Sequence, residues 1–199
     1  ITYIYNWIEP SEKDSKKYDV HSQKLISVGR LSEEKGFDQL VEAMRLVSKK
    51  HPEWTLDIYG DGEEAEGITN QIKTCKLSEH IKLKGRCDNV RDYYKDYAMY
   101  VMPSYREGLP ITLLEAKENS LPIVSFDVVT GPREIVRDGV DGILVEPQNV
   151  EALADAICSR IEDEGMRKRY SNNAKGNLDL FSKEKIITQW KELLEEVAR

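Results

Sequence analysis

Four side chains in the 199-residue sequence have types and spacings that suit chemistry: Arg30, Lys35, Glu107 and Glu115. Arg30 directly follows the apolar run KLISVG, and Lys35 stands just before Gly36 and a helical pattern. An arginine fork engages two oxygens and a lysine adds a compact charge, so the two together suit a diphosphate. A helix N-terminus behind them adds positive potential. Surface pairing of Arg30 and Lys35 with Glu33 or Glu34 is the plainer alternative. Glu107 and Glu115 bracket the turn Gly108-Leu109-Pro110. Pro110 suits the first position of a helix and holds Leu109 extended before it. The amides of Ile111, Thr112 and Leu113 would then point out of the helix start toward a phosphate. Glu115, about 7–8 Å further along the axis, still reaches the same place. Its two acceptor oxygens match the hydroxyls of a ribose cis-diol. Glu107, upstream of the turn, would face hydroxyls on the other side of the phosphates. Two solvated acids on a loop and a helix remain the alternative for this pair.

Such residues work only if strands and helices bring them together. Short β-rich runs recur at 24–29, 54–60, 81–85, 99–104, 122–126 and 142–147. Between them, Phe37, Leu40, Val41, Met44 and Val47 repeat at helical spacing over 37–50, and a polar helix fits between Gly62 and Leu77. Shorter helices fit 90–97, the stretch from Pro110 and that from Pro132. This alternation predicts a Rossmann-like α/β domain, a parallel sheet flanked by helices on both faces. From Val150 only helical patterns remain, one stripe through Leu153, Ala154, Ile157 and Ile161 and another through Ile186, Trp190, Leu193 and Val197. They predict a helical C-terminal tail.

Ligands of open parallel sheets sit beyond the C-terminal ends of the strands, so the segments that follow each run matter most. Gly60-Asp61-Gly62 suits a tight turn. The stretch KGRCDN offers backbone amides near Arg86 and Cys87 to a base edge. Arg133, Glu134 and Arg137 would line a pocket or form surface salt bridges. Neither G-x-G-x-x-G nor G-x-x-x-x-G-K-[ST] occurs, which argues against a dinucleotide dehydrogenase or a P-loop ATPase.

Composition narrows the partners. Twenty-nine Lys and Arg against 36 Asp and Glu leave a net charge of −7, so the chain as a whole does not attract nucleic acid or anionic membrane. An anionic ligand must be held by local cations and amides. Cys75, Cys87 and Cys158 lack a C-x-x-C spacing and, with only His21, His51 and His80, form no metal-ligand set. No apolar stretch approaches the length of a membrane span. The chain starts at Ile1 rather than Met, and residues 1–22 turn charged and Pro-containing. The expectation is a linker at the front of a piece of a longer polypeptide.

GRLSEEKG, GDG, KGRCDNV, PSYREGLPITLLEA, PIVSFDVVTGPREIVRDGVDGILVEP and FSKEKIITQWKELLEEV occur in an order that resembles family 4 retaining glycosyltransferases. From about Lys24 onward the chain is similar to the C-terminal, donor-binding half of their GT-B fold. The resemblance implies transfer of a sugar from a nucleoside-diphosphate sugar to an acceptor hydroxyl with retention of configuration. It implies that Arg30 and Lys35 hold the diphosphate, that Glu107 contacts the donor sugar and that Glu115 binds the ribose. Family frequency favours UDP over GDP or ADP, and family members generally need no bound metal or other cofactor. The implied setting is cytoplasmic synthesis of a surface or capsular polysaccharide, at or near the inner membrane face, on a glycan or lipid-linked acceptor. YNWIEP, with Asn6, resembles the connector between the two GT-B halves, and the helix around Trp190 would return toward an N-terminal acceptor domain absent from this chain. On this reading the isolated chain binds nucleotide weakly and transfers nothing. A non-catalytic nucleotide-sugar-binding module and a GT-B sugar-nucleotide epimerase are the rival readings.

Overall fold

Residues 3–9 and 18–198 are described by a computed structural model. Six strands form one parallel sheet: β1 (Lys24–Val28), β2 (Thr55–Tyr59), β3 (Ile81–Gly85), β4 (Met99–Met102), β5 (Ile123–Phe126) and β6 (Gly142–Val145). Their spatial order is β3-β2-β1-β4-β5-β6. Each lies where a β-rich run predicted it, ending one or two residues before the run does except at β3 and β5, which end with it. β1 sits between β2 and β4, with Leu25 opposite both Leu56 and Met99. The chain direction across the sheet therefore reverses beside β1, and this is where loops diverge and leave a crevice.

Alternation along the strands divides the core in two. Leu25, Leu56, Ile58, Met99, Val101 and Val124 face one side, against α1 (Phe37–Lys50), α2 (Ala65–Thr74) and α5 (Val150–Glu162). Ile26, Tyr100, Met102 and Ile123 face the other, against α3 (Ile111–Glu118), the short α4 (Pro132–Ile135) and Phe181. Successive residues of a strand point to opposite faces, so burial on both makes β4 and β5 nearly apolar throughout, whereas β3 alternates with Lys82 and Lys84 exposed. In α1, Leu40, Val41, Met44 and Val47 are wholly buried. Each such side chain contributes about 1.5–3 kcal/mol, and Leu40→Ala would cost roughly 2–5 kcal/mol.

The tail is α5, α6 (Glu164–Asn173), a 3-10 segment and α7 (Lys183–Val197). Asn149 and Asp163 start α5 and α6 by accepting from the amides of Ala152 and Met166, at 2.9 and 2.8 Å. In the first predicted stripe Leu153, Ala154 and Ile157 are buried. In the second only Ile186 is buried, while Trp190 and Val197 are exposed with Ile187 and Leu194. Of the predicted linker, residues 1, 2 and 10–17 lie outside the described residues. Ile8 bridges to Ser182 at the start of α7, which places residues 3–9 beside the tail. Among the described residues, no helix is long and apolar enough to cross a membrane.

Candidate functional site

The loops after β1 and β4 leave the C-terminal edge of the sheet as neighbours, and two contacts clamp them. Tyr105 donates its amide to the Glu34 carbonyl at 2.8 Å and its hydroxyl to Asp38 Oδ2 at 3.0 Å. Gly36, at φ 63°, makes the close approach possible, because a Cβ there would stand 2.2 Å from the Pro103 carbonyl oxygen. Lys35 is thereby delivered to Glu107. Its Nζ reaches both carboxylate oxygens, at 2.8 and 3.0 Å, and Ser104 donates to Oε1 at 2.6 Å. The Glu107 side chain is only 8% exposed against 26% for Lys35, so the lysine forms the accessible edge of the pair.

A second close approach sets the other wall. Gly131, at φ 92°, brings the loop after β5 onto Gly108 and Pro110, where a Cβ would meet the Gly108 oxygen at 2.4 Å. Thr130 hydrogen-bonds the Glu107 carbonyl beside it. Ser104, Thr130 and Gly131 thus fix Glu107. The Gly-Pro pair at 131–132 was the visible signal for the turn, but nothing in the sequence pairs it with residue 108.

The helix start departs from expectation in one respect. Pro110 is the flanking residue, with an extended ψ of 97°, and α3 starts at Ile111. The Leu113 amide is consumed by the Pro110 carbonyl at 3.0 Å, so it offers nothing to a phosphate. No side chain caps α3, which leaves the Ile111 and Thr112 amides at its positive end. Leu109 and Ile111 pack partly against the core, and Gly108 has open space where a Cβ would stand.

Glu115 lies further along α3 with its side chain 17% exposed. Burial raises its carboxyl above the ordinary range, opposed by a hydrogen bond from Tyr94 and the charge of Arg91. The Tyr94 hydroxyl donates to Oε2 at 3.1 Å, and Arg91 Nε lies 4.0 Å from Oε1. Sequence reading missed both partners, treating VRDYYKDY only as a helix; it is a 3-10 segment, Val90–Asp96.

Arg30 is far more open. It forks onto Glu63 at 3.0 and 3.2 Å, with side-chain exposures of 69% and 55%, rather than onto Glu33 or Glu34. Such a pair is worth roughly 0–1 kcal/mol and is readily exchanged for a better anion. The turn around Asp61 also locks to the β1 loop, Leu31 donating to the Asp61 carbonyl at 2.8 Å. Arg86 is exposed and pairs with Asp88 at 3.3 Å, while Cys87 is half-buried against the core.

The segment after β5 divides by residue. Arg133 forks onto Asp127 at 2.8 and 2.9 Å in an exposed pair. Arg137 instead joins a buried cluster: its Nε and Lys117 Nζ both donate to Asp141 Oδ2, at 2.6 and 2.9 Å. Structural salt bridges, not a pocket, account for both. A cavity of about 420 Å³ does open beside the β1 and β4 loops, lined by Glu33, Glu34, Tyr105, Arg106 and Gln148. Its carboxylates disfavour a diphosphate and accept hydroxyl groups. Among the described residues, no group of three or more His, Cys, Asp or Glu side chains is arranged to hold a metal ion.

The edge of β1 and β4 therefore presents cations and helix amides between two carboxylates. The group 1 glycosyl transferase family matches residues 9–177. An uncharacterized glycosyltransferase of Haemophilus influenzae is 32% identical over 189 residues, which is 95% of this chain and 53% of that one. The poly(glycerol-phosphate) alpha-glucosyltransferase of Bacillus subtilis is 34% identical over 176 residues, 88% of this chain and 25% of its own length. A mutant of S. aureus TarM, solved with Fondaparinux, alpha-GlcNAc-glycerol and UDP, superimposes with a TM-score of 0.91 at 25% identity, covering 96% of this chain and 39% of that one. The pneumococcal O-GlcNAc transferase GtfA, solved with UDP and GlcNAc, gives 0.79 at 29% identity, covering 92% and 39%. The chain spans about half the length of the Haemophilus relative and less of the others. With the family match running over most of its length and the parallel sheet and switch-point crevice in place, the chain belongs to the group 1 glycosyl transferases.

Proposed function

We propose that this chain is the donor-binding half of a retaining GT-B glycosyltransferase that moves a sugar from a UDP-sugar to an acceptor hydroxyl in polysaccharide-type synthesis. The observation that carries this reading is the meeting of Lys35 and Glu107 at the switch point, 72 residues apart in sequence. Arg30, Lys35 and the Ile111 and Thr112 amides hold the diphosphate. Glu107 fixes Lys35 and accepts from hydroxyls of the donor sugar, and Glu115 accepts from the ribose. Arg86 and the backbone at Cys87 border the base.

In the transfer, the bond from the anomeric carbon to the diphosphate oxygen breaks and a bond to the acceptor oxygen forms on the same face. The acceptor proton passes to the departing phosphate. Fixed donors aimed at that phosphate stabilise charge that grows only as the bond breaks. Losing one charge-assisted contact costs about 1.5–3 kcal/mol, or roughly ten- to a hundredfold in affinity.

The acceptor side belongs to an N-terminal domain of the same polypeptide. Residues 3–9 and the exposed Ile187, Trp190, Leu194 and Val197 of α7 are the surfaces offered to it. The setting is cytoplasmic, at the inner face of a membrane that supplies a lipid-linked or glycan acceptor.

Titrating UDP, GDP and ADP into the wild type and Arg30→Ala tests the binding half. UDP is expected to bind best and the variant to bind more weakly, and identical titrations would remove Arg30 from the site. For the whole enzyme, sugar transfer that requires added acceptor supports the proposal. Epimerised nucleotide sugar without acceptor would make it an epimerase, and binding without turnover a recognition module.

A further inference from the structure

Tyr94 is wholly buried, and its ring stacks on that of Tyr100 with centroids 5.9 Å apart. Its hydroxyl sits in the core for one visible purpose, the 3.1 Å hydrogen bond to Glu115 Oε2. Arg91, three residues earlier in the same 3-10 segment, is tied down at its far end. Its Nη2 donates to the Glu9 carbonyl at 2.8 Å and pairs with Glu118. Its Nε is buried without a hydrogen-bond partner and stops 4.0 Å from Glu115 Oε1. A shift of about 1 Å would turn that ion pair into a hydrogen bond.

We propose that Tyr94 and Arg91 are positioning residues for Glu115, holding its carboxylate in one orientation for the ribose hydroxyls. This deepens the proposed function and rests on the assignment of Glu115 to the ribose. A glutamate on a helix has several rotamers to lose on binding a ligand, and a partner that selects one beforehand removes that cost. Tyr94 occupies one of the roughly four acceptor directions of the carboxylate and leaves enough for two hydroxyls. Arg91 supplies charge on the Oε1 side without filling it. Both also favour the ionised carboxylate that burial disfavours, and only that form accepts from both hydroxyls of a diol.

The test compares UDP with 2′,3′-dideoxyuridine diphosphate, which lacks both ribose hydroxyls, by calorimetric titration. The wild type should bind UDP more tightly than the analogue. In Tyr94→Phe, which keeps the stacked ring, UDP should weaken about tenfold, the loss expected when a carboxylate is left to rotate away from one hydroxyl, while the analogue is unaffected. Arg91→Gln should narrow the ratio in the same direction, and its partly exposed site keeps the test independent of any folding defect in Tyr94→Phe. Equal weakening of both ligands in the two variants would assign Tyr94 and Arg91 a merely structural role and overturn the inference. An undiminished ratio in both would overturn it while leaving Glu115 on the ribose. Equal affinity of the wild type for the two ligands would instead remove Glu115 from the ribose, and the positioning role with it.

Discussion

Two of the lysine–carboxylate pairs in this molecule contrast, Lys35–Glu107 at the edge of the sheet and Lys117–Asp141, which ties α3 to the loop before β6. In the second, both side chains have no solvent exposure. Lys117 also donates to the Ile135 carbonyl at 2.7 Å, and Asp141 accepts from the Arg137 amide and guanidinium as well as from Lys117. Burial pushes the Lys117 ammonium below its usual range, opposed by Asp141. The first pair has the same charges and similar distances, but the lysine keeps a quarter of its surface open. An enclosed pair with its partners filled ties elements together. A pair with one open side, at the C-terminal edge of the strands, still has capacity for a ligand. Geometry beyond the pair, rather than residue type, separates the enclosed tie from the open one.

The sharpest way to break this contrast is Asp141→Asn. It leaves the fully buried Lys117, and with it the partly exposed Arg137, short of a counter-charge and should cost about 3–5 kcal/mol in urea denaturation; a loss below about 1 kcal/mol would mean the enclosed pair does not hold the fold. Next is Glu107→Gln. Folding stability should change by less than about 1 kcal/mol, because Lys35 can turn to water. Affinity for a UDP-sugar should fall roughly ten- to a hundredfold and that for UDP much less. Equal losses for both ligands would move Glu107 from the sugar to the diphosphate.

A smaller effect is the pH dependence through Glu115. Its raised carboxyl takes up a proton at a pH where an exposed glutamate is still ionised. UDP affinity should therefore decline on acidification before ordinary carboxylates titrate, and Glu115→Gln should lack that limb. Stability moves the opposite way, since protonation removes the penalty of a buried charge as pH falls. The smallest effect belongs to the exposed pair of Arg133 and Asp127. Arg133→Ala should change stability by less than about 0.5 kcal/mol and leave UDP titrations as in the wild type; weaker binding would bring Arg133 into the site.

How much of this was legible in the sequence follows from the range of each interaction. The strands were, because burial on both faces writes a near-continuous apolar run in β4 and β5 and alternation marks β3, as was α1 from its periodicity. Arg30, Lys35, Glu107 and Glu115 were visible as types at useful spacings. Their partners were not, since the contacts of Glu107 with Lys35 and Glu115 with Tyr94 span 72 and 21 residues. Pro110 shows the limit of local rules: proline at a first helical turn is a good prior, yet here its extended ψ starts the helix one residue later and uses the Leu113 amide. The α7 stripe was legible as a helix, but periodicity reports an apolar face without saying what covers it.

The reversal of strand order at β1 also bears on how the chain folds. The β1–β4 junction is made by segments such as Ser27 and Val101, which are bonded across 74 residues, whereas the other strand pairs join partners much closer in sequence. Each doubling of a closed loop adds about 0.6 kcal/mol of entropy loss, so this junction is expected to form after its neighbours. A nucleotide bound across it would then act mainly on the reverse step, slowing unfolding while leaving the refolding rate nearly unchanged.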